Sequence, residues 1–312
     1  MKNSILLIIV ISCFISCNEV EKKTNDNRVN LLLPRAVPVS QLFVFDTINT
    51  DWQKSLLSAN LISRVFEMFN KSELTVFDPN TDDTNLTKYT KEQVCNNLGV
   101  NSVPLNYNEI KGLFFKEEWF LDTVKSFVFE KSIISWSPVR YFNRNNEKIK
   151  KLVFKISGND ASEILAKNII YEFNLEDTVN QGFVKNIDVA KLTKLLIDKA
   201  VSGNTKVYNP MNVDEELSVE QIKKRLGERI DTVITEEPET SEMIQRIIKS
   251  NINLEEIKSI VFIEDWYYNP KTYAIKKVVK GIAPVRHYYK FDEQVKSISF
   301  VMFLTNEKTK IF

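Results

Sequence analysis

Histidine occurs once in this chain of 312 residues, at His287, and glycine occurs seven times. A single imidazole excludes a histidine-rich metal site and any catalytic arrangement that rests on several histidines. So few glycines supply no phosphate-cradling loop, and neither a dinucleotide fingerprint nor a Walker motif is present. There are three cysteines, two of them (Cys13 and Cys17) in the N-terminal apolar region, which leaves Cys95 and no disulfide framework. Beside Val94 and Leu98 in a predicted helix, Cys95 reads as a small buried hydrophobe rather than a nucleophile. Neither sign of charge dominates. The 42 basic and 41 acidic residues leave a formal net charge of +1, which argues against nucleic acid as an electrostatic partner.

Long apolar runs are also scarce. Ile5 to Ile11 is too short to span a bilayer and has the length of a signal-peptide core. Phe14-Ile15-Ser16-Cys17 resembles a bacterial lipobox, with Val10-Ile11-Ser12-Cys13 as a competing site and a plain secretory signal as the alternative. Residues 1–16 are therefore expected to be a lipoprotein signal peptide and Cys17 the lipidated residue. The polar, Asn- and Lys-rich segment 17–39 is expected to be a tether. This predicts an outer-membrane lipoprotein that faces the periplasm.

What the chain does contain is a copy of itself. Ile110 to Phe120 aligns without a gap on Ile257 to Tyr267, so that Glu117-Glu118-Trp119 meets Glu264-Asp265-Trp266, and Pro138-Val139-Arg140 meets Pro284-Val285-Arg286. Upstream, Leu61 through Pro79 matches Leu192 through Pro210, and Glu92-Gln93-Val94 with Gly99 matches Glu220-Gln221-Ile222 with Gly227. A residue type kept in both copies serves a structural need common to both. The repeat divides the chain into two domains, 40–158 and 159–312.

Each copy predicts an α+β domain in which a helix and a shorter helix pack on a three-stranded antiparallel meander. Leu57, Leu61, Val65, Met68 and Phe69 have helical spacing, and Asp188 is placed to cap a helix carrying Val189, Leu192, Leu195, Leu196 and Ala200. Thr90 with Gln93, and Ser218 with Gln221, have the reciprocal capping pattern. The strands are expected at 113–120, 127–136 and 149–156, and again at 260–268, 273–282 and 295–303. The second copy holds an insertion at about 229–253. Met243, Ile244, Ile247 and Ile248 in it suggest an amphipathic helix that packs on its own domain or docks a neighbouring subunit.

Paired carboxylates are the best catalytic candidates: Glu117 with Glu118, and Glu264 with Asp265. Adjacent strand residues point to opposite faces, however, so a structural role is favoured, with Arg140 and Arg286 as expected partners of those carboxylates across the meander. His287 aligns with Tyr141 and reads as an interchangeable surface position. No catalytic residue, cofactor or metal is expected, and the chain is not read as an enzyme. An alternative function is capture of a peptide or glycan in the groove between repeats, stacked on Trp136, Tyr141, Tyr288 and Tyr289.

Glu264-Asp265-Trp266-Tyr267-Tyr268 followed by Lys280-Gly281-Ile282-Ala283-Pro284 resembles the GldN/PorN family of gliding motility and type nine secretion proteins in Bacteroidota. The likeness covers about 185–303. The first copy keeps a degraded form, with Ser135-Trp136-Ser137-Pro138 in place of Gly-Ile-Ala-Pro. The resemblance implies a periplasmic scaffold without catalysis that joins protein partners, possible further copies of itself included, in a ring beneath the outer membrane.

Overall fold

The computed structural model describes residues 39–44, 61–100, 109–122, 128–176, 187–237 and 243–311. Cys13, Cys17, the signal segment 1–16, nearly all of the tether and Leu57 lie outside the described residues.

Two five-stranded antiparallel sheets organise the molecule. The first holds β1 (Val39–Val44), β2 (Ile110–Asp122), β3 (Val128–Arg144) and β4 (Glu147–Leu152) in that order, with β5 (Ile156–Ser157) also on β3. The second repeats the order with β6 (Glu163–Asn174), β11 (Ile257–Tyr268), β12 (Ile275–Lys290) and β13 (Glu293–Ile298), with β14 (Met302–Phe303) on β12. Each sheet therefore has five strands where the sequence predicts three. Pro138 and Pro284 explain the divided partner strand. Pro138 falls between Trp136, paired with Ile156, and Val139, paired with Leu152, where a residue lacking an N–H breaks no ladder bond. Pro284 sits likewise between the partners of β14 and β13.

Helices α1 (Leu61–Asn70) and α2 (Lys91–Leu98) serve the first sheet, and α3 (Val189–Val201) and α4 (Val219–Arg225) the second. Both predicted capping boxes form. Thr90 and Ser218 accept from the backbone N–H of Gln93 and Gln221, whose side chains return the bond. Asp188 accepts from the Lys191 N–H at the start of α3. Leu61, Val65, Phe66 and Phe69 of α1 are buried against the first sheet, and Leu192, Leu196, Ile197 and Ala200 of α3 against the second.

The insertion is not a helix. It forms a two-stranded hairpin, β9 (Arg229–Glu236) and β10 (Met243–Ser250), after the small β7–β8 ribbon (Tyr208–Asn209, Asn212–Glu216). The i, i+4 spacing of Met243 and Ile247 also fits a strand face of period two, and the β-branched run Thr232-Val233-Ile234-Thr235 supplies a cross-strand partner.

The register slips at the same place in both sheets. Ile134 is the extra residue between Lys116 and Glu117, and Lys280 the extra residue between Ile263 and Glu264. Such bulges bend a strand and raise its twist. Beyond its bulge, each central strand leaves its own core for that of the other repeat. Trp119 and Phe129 pack with Phe173, Leu192, Leu196 and Phe262, while Trp266, Ile169 and Ile275 pack with Phe66, Phe115 and Trp136.

Candidate functional site

The exchanged tryptophans frame a buried ionic centre shared by the two repeats. Trp119 donates from Nε1 to Glu117 Oε2 at 2.6 Å, and Trp266 from Nε1 to Glu264 Oε2 at 2.8 Å. The other oxygen of each carboxylate crosses between repeats, Glu117 Oε1 to Lys277 Nζ at 2.5 Å and Glu264 Oε1 to Lys131 Nζ at 2.7 Å. All four charged side chains are fully buried. Lys131 stands opposite Trp119 in the ladder and Lys277 opposite Trp266, so the arrangement follows the repeat residue for residue.

Aromatic rings wall each ammonium. Lys131 Nζ lies 3.2 Å from the centre of the Phe262 ring and 4.5 Å from Trp119; Lys277 Nζ lies 3.7 Å from Phe115 and 4.5 Å from Trp266. Tyr171 breaks the symmetry by donating to Glu264 at 2.8 Å while accepting from Lys131 at 2.6 Å. Burial holds the Lys131 ammonium below the ordinary lysine range. Burial would raise the Glu264 carboxyl, but the charges of Lys131 and Lys277 outweigh it and hold the group below its ordinary value. Residue i of one repeat meets j of the other and the reverse holds as well, the self-complementary pattern of a two-fold interface within one chain.

This centre joins the two repeats. Its carboxylates are wrapped by indoles, rings and ammonium groups with no exposed surface for a substrate. The neighbouring acids point away, as the pleat demands. Asp265 accepts from the Asn168 backbone N–H at 2.8 Å and lies 3.6 Å from Lys280. Glu118 faces a polar cleft with Glu130 and Lys276.

Arg140 and Arg286 pair elsewhere than expected. Arg140 donates to Glu109 at 2.6 Å and to the Asn97 carbonyl at 3.3 Å, and Arg286 to Glu256 and to the Arg225 carbonyl. Arg140 is in register with Ile110, which puts Glu117 roughly 23 Å along the strand at about 3.3 Å per residue. Both guanidiniums instead tie a hairpin arm to the C-terminal end of the short helix, where cations are favoured. Gly99 (φ 65°) and Gly227 (φ 99°) make room for them; a Cβ would approach Arg140 to 2.9 Å and Arg286 to 2.5 Å. Gly281 is a third tight position, where a Cβ would lie 3.0 Å from Ile263 Cδ1.

Two further sequence expectations change. Trp136 and Tyr141 are buried, Trp136 donating to the Tyr273 carbonyl at 2.8 Å, so they cannot form a stacking surface with Tyr288 and Tyr289. His287 is not an open surface residue. Its Nε2 lies 3.3 Å from Ser259 Oγ and 3.8 Å from Glu172 Oε1, and burial with nearby Lys296 pushes its pKa down. Serine and carboxylate meet the same ring nitrogen and Ser259 is fully buried, which is not the geometry of a catalytic triad. Cys95 is buried, as read from the sequence.

Among the described residues, no group of three or more His, Cys, Asp or Glu side chains is placed to hold a metal ion, and no helix is long and apolar enough to cross a membrane. No curated protein matches the chain significantly. A family model described as "Gliding motility associated protein GldN" matches twice, at residues 43–174 and 166–306; the first match covers β2 to β5 and runs on through β6, and the second covers most of β6 and the rest of the second sheet. The chain belongs to the GldN family and carries its domain in two tandem copies.

Proposed function

We propose that this protein is a lipid-anchored, periplasm-facing scaffold of a gliding and type nine secretion machine, held to the outer membrane through Cys17 and acting by contacts with protein neighbours. Its family ties it to gliding motility and that secretion machinery. The two domains divide at about 158/159, and the signature residues shared by the copies serve structure rather than chemistry. The observation that carries the reading is the crossed clasp: the residues most like an active site are consumed in locking one repeat to the other. A chain that commits its central acids to rigidity presents a fixed shape, which suits a building block.

Gentle detergent extraction from the native membrane, affinity capture and sizing test the proposal. The expected result is a particle many times the mass of one chain that contains secretion components. Recovery as a monomer without stable protein partners would overturn it.

A further inference from the structure

Among the described residues, the β9–β10 hairpin occurs only in the second repeat and pairs with no other strand. Its two faces differ. On one, Asp231, Thr235, Ile244 and Ser250 are partly covered, and the Thr235 hydroxyl is buried. On the other every residue is exposed, including Ile230 (68%), Ile234 (64%), Met243 (69%) and Ile247 (65%). An isolated hairpin is marginal in water, and a contiguous apolar ladder on one is a contact surface in search of cover.

Charge at the two ends of this ladder selects the cover. Lys249 stands opposite Ile230 at one end, and Glu236 opposite Met243 at the other, with uncharged Thr232 and Gln245 between. Turned end for end on itself with a two-residue offset, the face sets Ile230 on Ile234 and Ile247 on its own copy, and brings each Lys249 end toward a Glu236 end. A same-direction stack would oppose like charges. We infer that the outward face of the β9–β10 hairpin is a self-association surface that seats the same face of a second copy, antiparallel, about a two-fold axis. The inference rests on the scaffold reading and names one of its contacts. The face is roughly 27 Å by 10 Å from strand spacing, well below the area of a standard stable complex, so it suits weak association that further contacts in an assembly would reinforce.

The test is sedimentation of the full chain in mild detergent across a concentration series. Wild type should dimerise, and Ile247→Asp should weaken the dimer by at least about 30-fold. Lys249→Glu and Glu236→Lys should each weaken it by about 3- to 10-fold, because like charges then meet. An equal mixture of these two variants should recover wild-type affinity, a gain that damaged folding cannot imitate. A monomeric wild type, a dimer indifferent to Ile247→Asp, or a mixture no tighter than its components overturns the inference. So does a monomer that binds vesicles of zwitterionic lipid through Ile247, which would assign the face to a lipid surface. If the face fails while native capture still returns the large particle, the scaffold reading stands and only this contact falls.

Discussion

Replacing Lys277 by methionine tests the clasp most sharply. The substitution keeps an apolar stem between Phe115 and Trp266 and removes the ammonium that Glu117 faces at 2.5 Å. Glu117 is left fully buried with Trp119 Nε1 as its remaining neutral donor. An uncompensated buried charge costs about 3–5 kcal/mol, a large share of the ~5–15 kcal/mol that holds a typical domain. Adding Glu117→Gln removes the orphaned charge and keeps an acceptor for Trp119. The double variant should return to within about 1–2 kcal/mol of wild type, since replacing both partners of a buried pair is often near neutral. Urea unfolding followed by far-UV circular dichroism and tryptophan fluorescence reads the cycle. Trp119 sits in the core of the second repeat and Trp266 in that of the first, so both signals should move in one transition in every variant. A cost below about 1 kcal/mol for Lys277→Met, or a transition that splits into two, would refute the reasoning.

Other expectations follow from neighbouring features. Gly227→Ala forces a left-handed φ on alanine and a Cβ to 2.5 Å of Arg286, and should cost about 1–3 kcal/mol by thermal unfolding, more than Gly99→Ala, whose approach is 2.9 Å. Replacing residues 231–248 by a short Gly-Ser turn removes strands that pair with no other strand among the described residues, so unfolding stability should change by less than about 1 kcal/mol. The Glu264 carboxyl is held below its ordinary value of 4.5, and so is Asp83 relative to 3.8, where burial is outweighed by Lys155 and Lys116. Folded values below unfolded ones give stability that is present above pH 4.5 and lost as pH falls through the lowered values. His287, held low by burial, protonates more readily in the unfolded chain, so urea midpoints should slip as pH falls below about 6.5 and drop further below about pH 4.5, and the second drop should be shallower in the double variant Lys131→Met with Glu264→Gln.

Much of the fold was legible because its signals are local. The capping boxes at Thr90 and Ser218, the apolar stripes of α1 and α3, and the aligned Glu-x-Trp strands each depend on residues a few positions apart. The duplication exposed them twice. β6 was missed, although Ile169, Tyr171 and Phe173 alternate in it, because no counterpart in the first copy drew attention to that segment. The hairpin was misread because four isoleucine and methionine positions satisfy helical and extended periods alike, and the pairing that decides between them is nonlocal.

The clasp was half visible. Glu117, Trp119, Glu264 and Trp266 stood out, but their lysine partners did not, since a lysine in a strand is ordinarily solvated. A signal was present: Phe129, Lys131 and Ile133 share one face of β3, and Ile275, Lys277 and Val279 share the equivalent face of β12, so that a lysine interrupts an apolar row at the same place twice. That each pair closes between repeats could not be read from either copy alone, because the crossing depends on the bulges at Ile134 and Lys280.

Secretion and surface spreading of a native strain that lacks this chain, complemented in turn by wild type and by a clasp-breaking variant, would test the central claim most directly. The account predicts that both activities are lost on deletion and restored by wild type. It predicts that Lys131→Met with Lys277→Met, which orphans both buried carboxylates, fails to restore them, whereas Glu118→Gln, which neutralises a cleft-facing acid, restores them fully. Normal secretion and spreading without the chain, or failure of Glu118→Gln alone at normal protein levels, would contradict a scaffold and point to chemistry in that cleft.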